Sequence, residues 1–203
     1  IKDYLKTVNH FLGIGDYFTI NISCPNAYGG EPFCGPINLD ALLGALDTIK
    51  TDQPIFIKLP PDLSEKEVDD ILEISGRHRV HGFVISNLTK DPSQLKVDRE
   101  EFNTISKGKG GISGKPVEDL SNALIARIYK KSGGKFIIIG VGGIFSAEDA
   151  YIKIKSGASL VQLITGMIFE GPQLIGQINE GFRELLRKDG FRNISEAIGV
   201  NTH

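Results

Sequence analysis

The sequence predicts a parallel α/β fold closed as a (β/α)8 (TIM) barrel, and three observations carry that reading. Five strand-length apolar runs, near residues 17–22, 54–59, 82–86, 136–139 and 160–163, alternate with stretches of helical period. Each run ends in polar or glycine residues, the kind that line a ligand site. The last two ends, Gly142-Gly143 and Thr165-Gly166, fall on consecutive final strands, where barrels often hold a phosphate. A doubly wound sheet gathers its ligand at one switch point instead. Eight strands close such a barrel, so the chain is expected to supply about the C-terminal five strands, with about three more on the N-terminal side.

Taken in order, residues 1–13 space Tyr4, Leu5, Val8, Phe11 and Leu12 as the end of a helix. The first strand runs into Asn21, Ser23, Cys24, Pro25 and Asn26. Two carboxamides and a thiol at a strand end are costly to bury. Pro25 fixes the backbone after the thiol. A buried structural cysteine with two capping asparagines fits the same residues. The loop from Ala27 to Pro36 is rich in Gly and Pro and holds Cys34. Residues 39–50 place Leu39, Leu42, Leu43, Leu46 and Ile49 on one side of a helix.

Residues 54–59 form a continuous apolar run, buried on both faces as in a parallel sheet. Lys58 interrupts it just before Pro60-Pro61. Its side chain either snorkels outward or meets an anionic partner. Ser64 with Glu67 is a capping box that opens the next helix, with Val68, Ile71 and Leu72 inward. The strand after it ends in Ser86, Asn87, Leu88 and Thr89. The polar segment 90–109 has no core period and reads as a surface excursion.

Residues 110–116, GGISGKP, let backbone N–H groups come close to a ligand. A helix over 119–131 turns Leu120, Leu124, Ile125 and Ile128 inward, and the strand over 136–139 runs into Gly140-Val141-Gly142-Gly143. Ser146 caps the following helix, and glycine between strand and helix suits a phosphate, although tight turns need glycine too. Gly157 ends that helix. A last helix spans 171–188, and a short amphipathic piece, Ile194 to Ile198, closes the chain.

The bulk numbers bound the function. The 203 residues suffice for one good core. A net charge of −2 points to neither nucleic acid nor an anionic membrane surface. No run approaches the ~18 apolar residues of a membrane span. The two cysteines, Cys24 and Cys34, are too few for a disulfide framework and fit a reducing compartment. The four histidines lie outside every motif above, and no metal-ligand spacing occurs.

Six segments together resemble the dihydroorotate dehydrogenase family. They are Asn21-Ile22-Ser23-Cys24-Pro25-Asn26, Ile57-Lys58-Leu59, Ser86-Asn87, the GGISGKP stretch, Ile139-Gly140-Val141-Gly142-Gly143, and residues 157–162. The resemblance covers nearly the whole chain, in order and at compatible spacing. It implies an FMN-dependent barrel that oxidises dihydroorotate to orotate in pyrimidine synthesis, with residues 1–203 forming the C-terminal part of a single FMN-binding domain.

Position by position, it implies that Cys24 is the general base for the substrate's C5 proton while hydride leaves C6 for the flavin. Asn21 would touch both flavin and substrate. Asn26, Asn87 and the adjacent Leu88 would contact substrate. Lys58 would lie by the flavin pyrimidine edge. Ser86 and Gly114 would contact the flavin, and Gly143 with Ile164 and Thr165 would hold its phosphate.

The GGISGKP stretch, the 90–109 insertion and the final strand through IFEGP resemble the class 2 enzymes, which pass electrons to a quinone. That class is peripheral on a bacterial or mitochondrial inner membrane, and its quinone tunnel and membrane contact lie in an N-terminal extension. It usually carries serine as the base. Cysteine is the habit of the cytosolic class 1 enzymes, which use fumarate or NAD. The longer stretches favour class 2. Two other FMN barrels are rivals: dihydropyrimidine dehydrogenase, which shares an Asn-x-Ser-Cys-Pro segment, and a dihydrouridine synthase, whose RNA substrate calls for a basic surface that a net charge of −2 does not support. A non-catalytic half-barrel is the alternative of a different kind.

Overall fold

The computed structural model describes residues 1–23, 33–95, 97, 100 and 110–202. Its five strands are β1 (Phe18–Asn21), β2 (Ile55–Leu59), β3 (Gly82–Ile85), β4 (Ile137–Val141) and β5 (Leu160–Gln162). They form one sheet in the order β1-β2-β3-β4-β5, every pair parallel. Sequential order with parallel pairing requires a crossover between neighbouring strands. Helix α1 (Lys2–His10) leads into β1; the crossovers run through α2 (Pro36–Asp47), α3 (Glu65–Arg77), α4 (Glu118–Ser132) and α5 (Ala147–Lys155); α6 (Thr165–Glu170) and α7 (Leu174–Asp189) follow β5.

The two faces of the sheet have different partners. Ile20, Ile57, Leu59, Phe83, Ile85 and Ile138 point to the helices and join the main core. There they meet Leu39, Leu42, Leu43 and Leu46 of α2, Val68, Ile71 and Ile74 of α3, and Leu124, Ile125 and Ile128 of α4. The opposite face carries a smaller cluster of Phe56, Val84 and Ile139, with Val141 against it. Side chains alternate along a strand, so Lys58 and Ser86 fall on this second face, just beyond Phe56 and Val84.

The sheet is curled. Five strands at ~4.8 Å spacing would set β1 and β5 roughly 19 Å apart if flat. Yet the Gln162 amide, on β5, donates to the Tyr17 hydroxyl, beside β1, at 3.1 Å. Tyr17 also packs edge-on against Phe56 of the inner cluster. The second face is therefore concave, as the inside of a barrel is. Gly82 makes the close approach possible, because a Cβ there would run into the Ile137 carbonyl and the Phe56 ring.

Local chemistry sets the helix ends. Ser64 Oγ accepts from Glu67 N at 3.3 Å while Glu67 Oε2 accepts from Ser64 N at 2.8 Å, which is the expected capping box. Ser146 Oγ accepts from Asp149 N at 3.2 Å to start α5. Gly133 closes α4 in the left-handed region.

Three differences from the sequence reading stand out. Residues 165–170 form a separate helix, α6, where only a strand tip was expected, and the following helix starts at Leu174 instead of residue 171. The helix over 39–50 is shifted to Pro36–Asp47, because Pro36 sits in the first turn, where its missing N–H costs nothing. The terminal piece, Ile194–Ala197, is a 3-10 turn. Most of the 90–109 excursion lies outside the described residues.

Candidate functional site

A cavity of ≈ 260 Å³ opens at the C-terminal ends of β2 to β5. Lys58 reaches it from the end of β2, and Ser86, Asn87 and Leu88 follow β3. Gly114 comes from the glycine-rich loop, Gly143 follows β4, and Ile164 with Thr165 follows β5. Eight of the residues singled out in the sequence thus share one wall-to-wall space. Asn21 pairs in register with Lys58 but is absent from the described lining. Its side chain turns to Ser23, accepting from the backbone N–H at 3.2 Å and the hydroxyl at 3.0 Å. Cys24 and Asn26 lie outside the described residues.

Lys58 is half-buried, and no described group forms a hydrogen bond or ion pair with its ammonium. Burial pulls its pKa below the ordinary lysine value. A cation with no counter-charge among the described residues, at a cavity wall, is suited to an anionic or electron-rich ligand. Ser86 is its polar neighbour. The Ser86 hydroxyl is buried and has no hydrogen-bond partner among the described residues, while its backbone N–H donates to Val141 O at 3.1 Å. The Ile85-Ser86 peptide is cis. An orphaned buried hydroxyl costs about 1–3 kcal/mol, which a bound polar ligand would recover.

Asn87 is held from several sides. Its backbone N–H donates to Leu59 O at 2.9 Å, tying the loop after β3 to β2. Its amide donates to Ser23 O at 2.8 Å and Ser23 Oγ at 3.1 Å, and its own carbonyl oxygen accepts from Leu88 N at 2.9 Å. The carboxamide therefore has a fixed orientation and links the ends of β1 and β3.

The glycine-rich loop is pinned by a two-way bridge, Thr89 N to Ile112 O at 3.1 Å and Ile112 N to Thr89 O at 2.7 Å. This brings Ser113 Oγ to 3.4 Å from Thr165 Oγ1. Gly114 has φ 77°, and a Cβ there would meet Thr165 Cγ2 at 2.8 Å. Gly143 has φ 75° and packs directly on Glu118. Both positions therefore need glycine, and both leave backbone exposed to the cavity.

Ser113 and Val141, within the GGISGKP and IGVGG segments, carry no assigned role there, and Val117, Ile144 and Leu163 complete the lining without any signal in the sequence. Most are apolar and look like core in sequence. A further polar group lies just behind the wall. Lys153, on α5, is fully buried, and its Nζ donates to Ser121 Oγ at 3.1 Å and Asn122 Oδ1 at 2.8 Å. Its spacing from the buried Ala150 and Ile154 was the available signal that it faces inward. Among the described residues no cluster of metal-ligating side chains occurs.

A curled parallel sheet with its cavity at the strand C-termini defines a barrel-type α/β protein, with the site where such barrels carry their chemistry. A family model described as dihydroorotate dehydrogenase matches residues 1–186, and the chain belongs to that family. It is 38% identical over 204 residues to a "Dihydroorotate dehydrogenase (quinone)" of Myxococcus xanthus, covering 98% of this chain and 54% of that one. A protein of the same name from Rippkaea orientalis is 39% identical over 203 residues, again 98% and 54%.

Among solved structures, a ligand-free DHODH from Eimeria tenella superposes with a TM-score of 0.88 at 27% identity, over 98% of this chain and 60% of that one. The same organism's DHODH in complex with ferulenol gives 0.85 at 27%, over 98% and 57%. The five-stranded sheet is thus a portion of a TIM barrel. The chain spans about half the length of the curated relatives it matches.

Proposed function

We propose that this chain forms the flavin- and substrate-bearing part of an enzyme that oxidises dihydroorotate to orotate in pyrimidine synthesis, with FMN as cofactor and a quinone as electron acceptor. The observation that carries it is the convergence of Lys58, Ser86, Asn87 and the glycines of three loops on one cavity. The residues fit FMN. Among the described residues Lys58 offers a cation with no counter-charge and Ser86 a buried hydroxyl with no partner, and the backbone at Gly114 and Gly143 lines the cavity while packed so closely on Thr165 and Glu118 that a Cβ would not fit.

In this reading Lys58, Ser86, Gly114 and Asn21 hold the flavin ring, and Gly143, Ile164 and Thr165 hold its phosphate. FMN, when bound, supplies the acceptor for the substrate's hydride. Lys58 would face the negative charge that FMN gains when reduced, and a preorganised cation would stabilise it. Asn87 presents a carboxamide whose amide is held by Ser23 and whose Oδ1 accepts from Leu88 N, so its orientation is set in advance and the second lone pair of Oδ1 is left to meet substrate. Asn26 and Leu88 complete the substrate contacts. Cys24 takes the C5 proton; a thiol's ordinary pKa near ~8.5 makes it a workable base only if its surroundings favour the thiolate.

The acceptor reading rests on the relatives, whose names specify quinone. It implies a peripheral place at a membrane through parts beyond the matched region; no helix among the described residues is long and apolar enough to cross one. Cys24 favours a second reading, the fumarate- or NAD-using class, where cysteine is the usual base. Reoxidation of the reduced protein separates them. A quinone analogue is expected to restore the yellow colour faster than fumarate or NAD, and the reverse order would overturn the quinone assignment. Cys24→Ala is expected to retain flavin and to slow reduction by roughly 10²–10⁴-fold; unchanged reduction would remove Cys24 from the mechanism.

A further inference from the structure

Lys153 sits fully buried between α4 and α5, and among the described residues its ammonium bonds only to neutral groups, Ser121 Oγ at 3.1 Å and Asn122 Oδ1 at 2.8 Å. The two carboxylates that also face this region, Glu118 and Asp149, are both bonded to Lys115 instead, at 2.7 Å and 2.6 Å. Burying a cation without a directly bonded counter-ion is expensive. Its connections point to the cavity. Ser121 Oγ donates to Val141 O at 2.6 Å, at the end of β4, and approaches Ile85 O at 3.4 Å, at the end of β3. Those carbonyls directly precede Gly142 and Ser86, both on the cavity wall. Gly142 itself packs on Ser121, which a Cβ at Gly142 would meet at 3.5 Å.

We propose that Lys153 is a positioning residue: acting through Ser121, it sets the ends of β3 and β4 and supplies the positive charge that makes the glycine end of the cavity select a phosphorylated flavin over riboflavin. This rests on the FMN reading above. Lys153 touches neither flavin nor substrate. It stands about two atomic contacts behind Gly142, and its charge acts through a region from which water is excluded, where Coulomb attraction is strong. Burial holds its pKa down at about 8, against the opposing pull of Glu118 and Asp149 and with the push of Lys115, so its charge is titratable in an accessible range. A phosphate entering beyond Gly143 would favour the charged form.

The test is the ratio of FMN to riboflavin affinity, read by quenching of flavin fluorescence on binding to the flavin-stripped protein. Lys153→Met is expected to lower FMN affinity on the order of tenfold more than it lowers riboflavin affinity. A purely structural role would weaken both equally, and that result would overturn the inference while leaving the FMN reading intact. If Lys153→Met does not fold, the unaltered protein decides. Its FMN-to-riboflavin ratio is expected to be high below pH ~8 and to fall above it as Lys153 loses its proton. A ratio flat from pH 7 to about 9.5 would overturn the inference. If the unaltered protein binds neither flavin, the FMN reading falls, and this inference with it.

Discussion

At the scale of single residues, the site is built from groups that would be unfavourable without a ligand. Lys58 is the clearest case. Burial already disfavours its charge, so its pKa lies below the ordinary value. If the ammonium stabilises charge during turnover, the rate is expected to be full while Nζ is protonated and to fall as pH rises through that lowered pKa. The alkaline limb should begin earlier than a solvent-exposed lysine, near ~10.4, would place it. Lys58→Met should reduce the rate of substrate-driven flavin reduction about 10²-fold at neutral pH and remove that limb. A variant that keeps both rate and limb would take Lys58 out of the chemistry.

The same residues show what a sequence reveals and what it conceals. Lys58 and Asn87 were legible because a polar side chain at the end of an apolar run stands out. Lys153 was not, because a lysine on a helix normally reads as solvent-facing. Only its register with Ala150 and Ile154 marks it as interior.

At the scale of elements, strand placement was legible to within one or two residues, since buried parallel strands are continuous apolar runs. Helix α6 was not. Six residues are too few to display an amphipathic period, and its two glycine- and threonine-bearing first positions look like a turn. Nor could the sequence show that Gly82 is forced. With Ile137 and Phe56 against its α-carbon, Gly82→Ala is expected to destabilise by about 1–3 kcal/mol, measurable by denaturant unfolding. A neutral outcome would mean that β3 and β4 can separate without cost.

The joint between α2 and α3 makes a separate prediction. His78 bonds to Asp47 at 2.7 Å and to Asp40 at 3.2 Å. Partial burial pulls its pKa down, but the two carboxylates outweigh this and leave it above 6.5. A raised folded-state pKa stabilises most below the unfolded value and is lost as pH rises through the folded one. The melting temperature should therefore contain a component that declines from about pH 6.5 upward and is absent in His78→Gln. An identical pH profile in the variant would show that the pair contributes nothing.

At the scale of the whole molecule, curvature decides the function. A flat sheet would scatter the strand ends; the concave face, closed far enough for Gln162 to reach Tyr17, turns them toward one point. The barrel itself was legible, because several functional strand ends in series suit no other common parallel fold. The convergence of specific side chains was not, since it depends on register and on loops pinned by contacts such as Thr89 with Ile112.

The central claim is that these groups surround a flavin reduced by dihydroorotate. Anaerobic titration of the purified protein with dihydroorotate tests it most directly. The account predicts loss of the yellow flavin absorbance with about one orotate formed per flavin reduced. A protein that retains flavin yet keeps its full absorbance under excess dihydroorotate would contradict it.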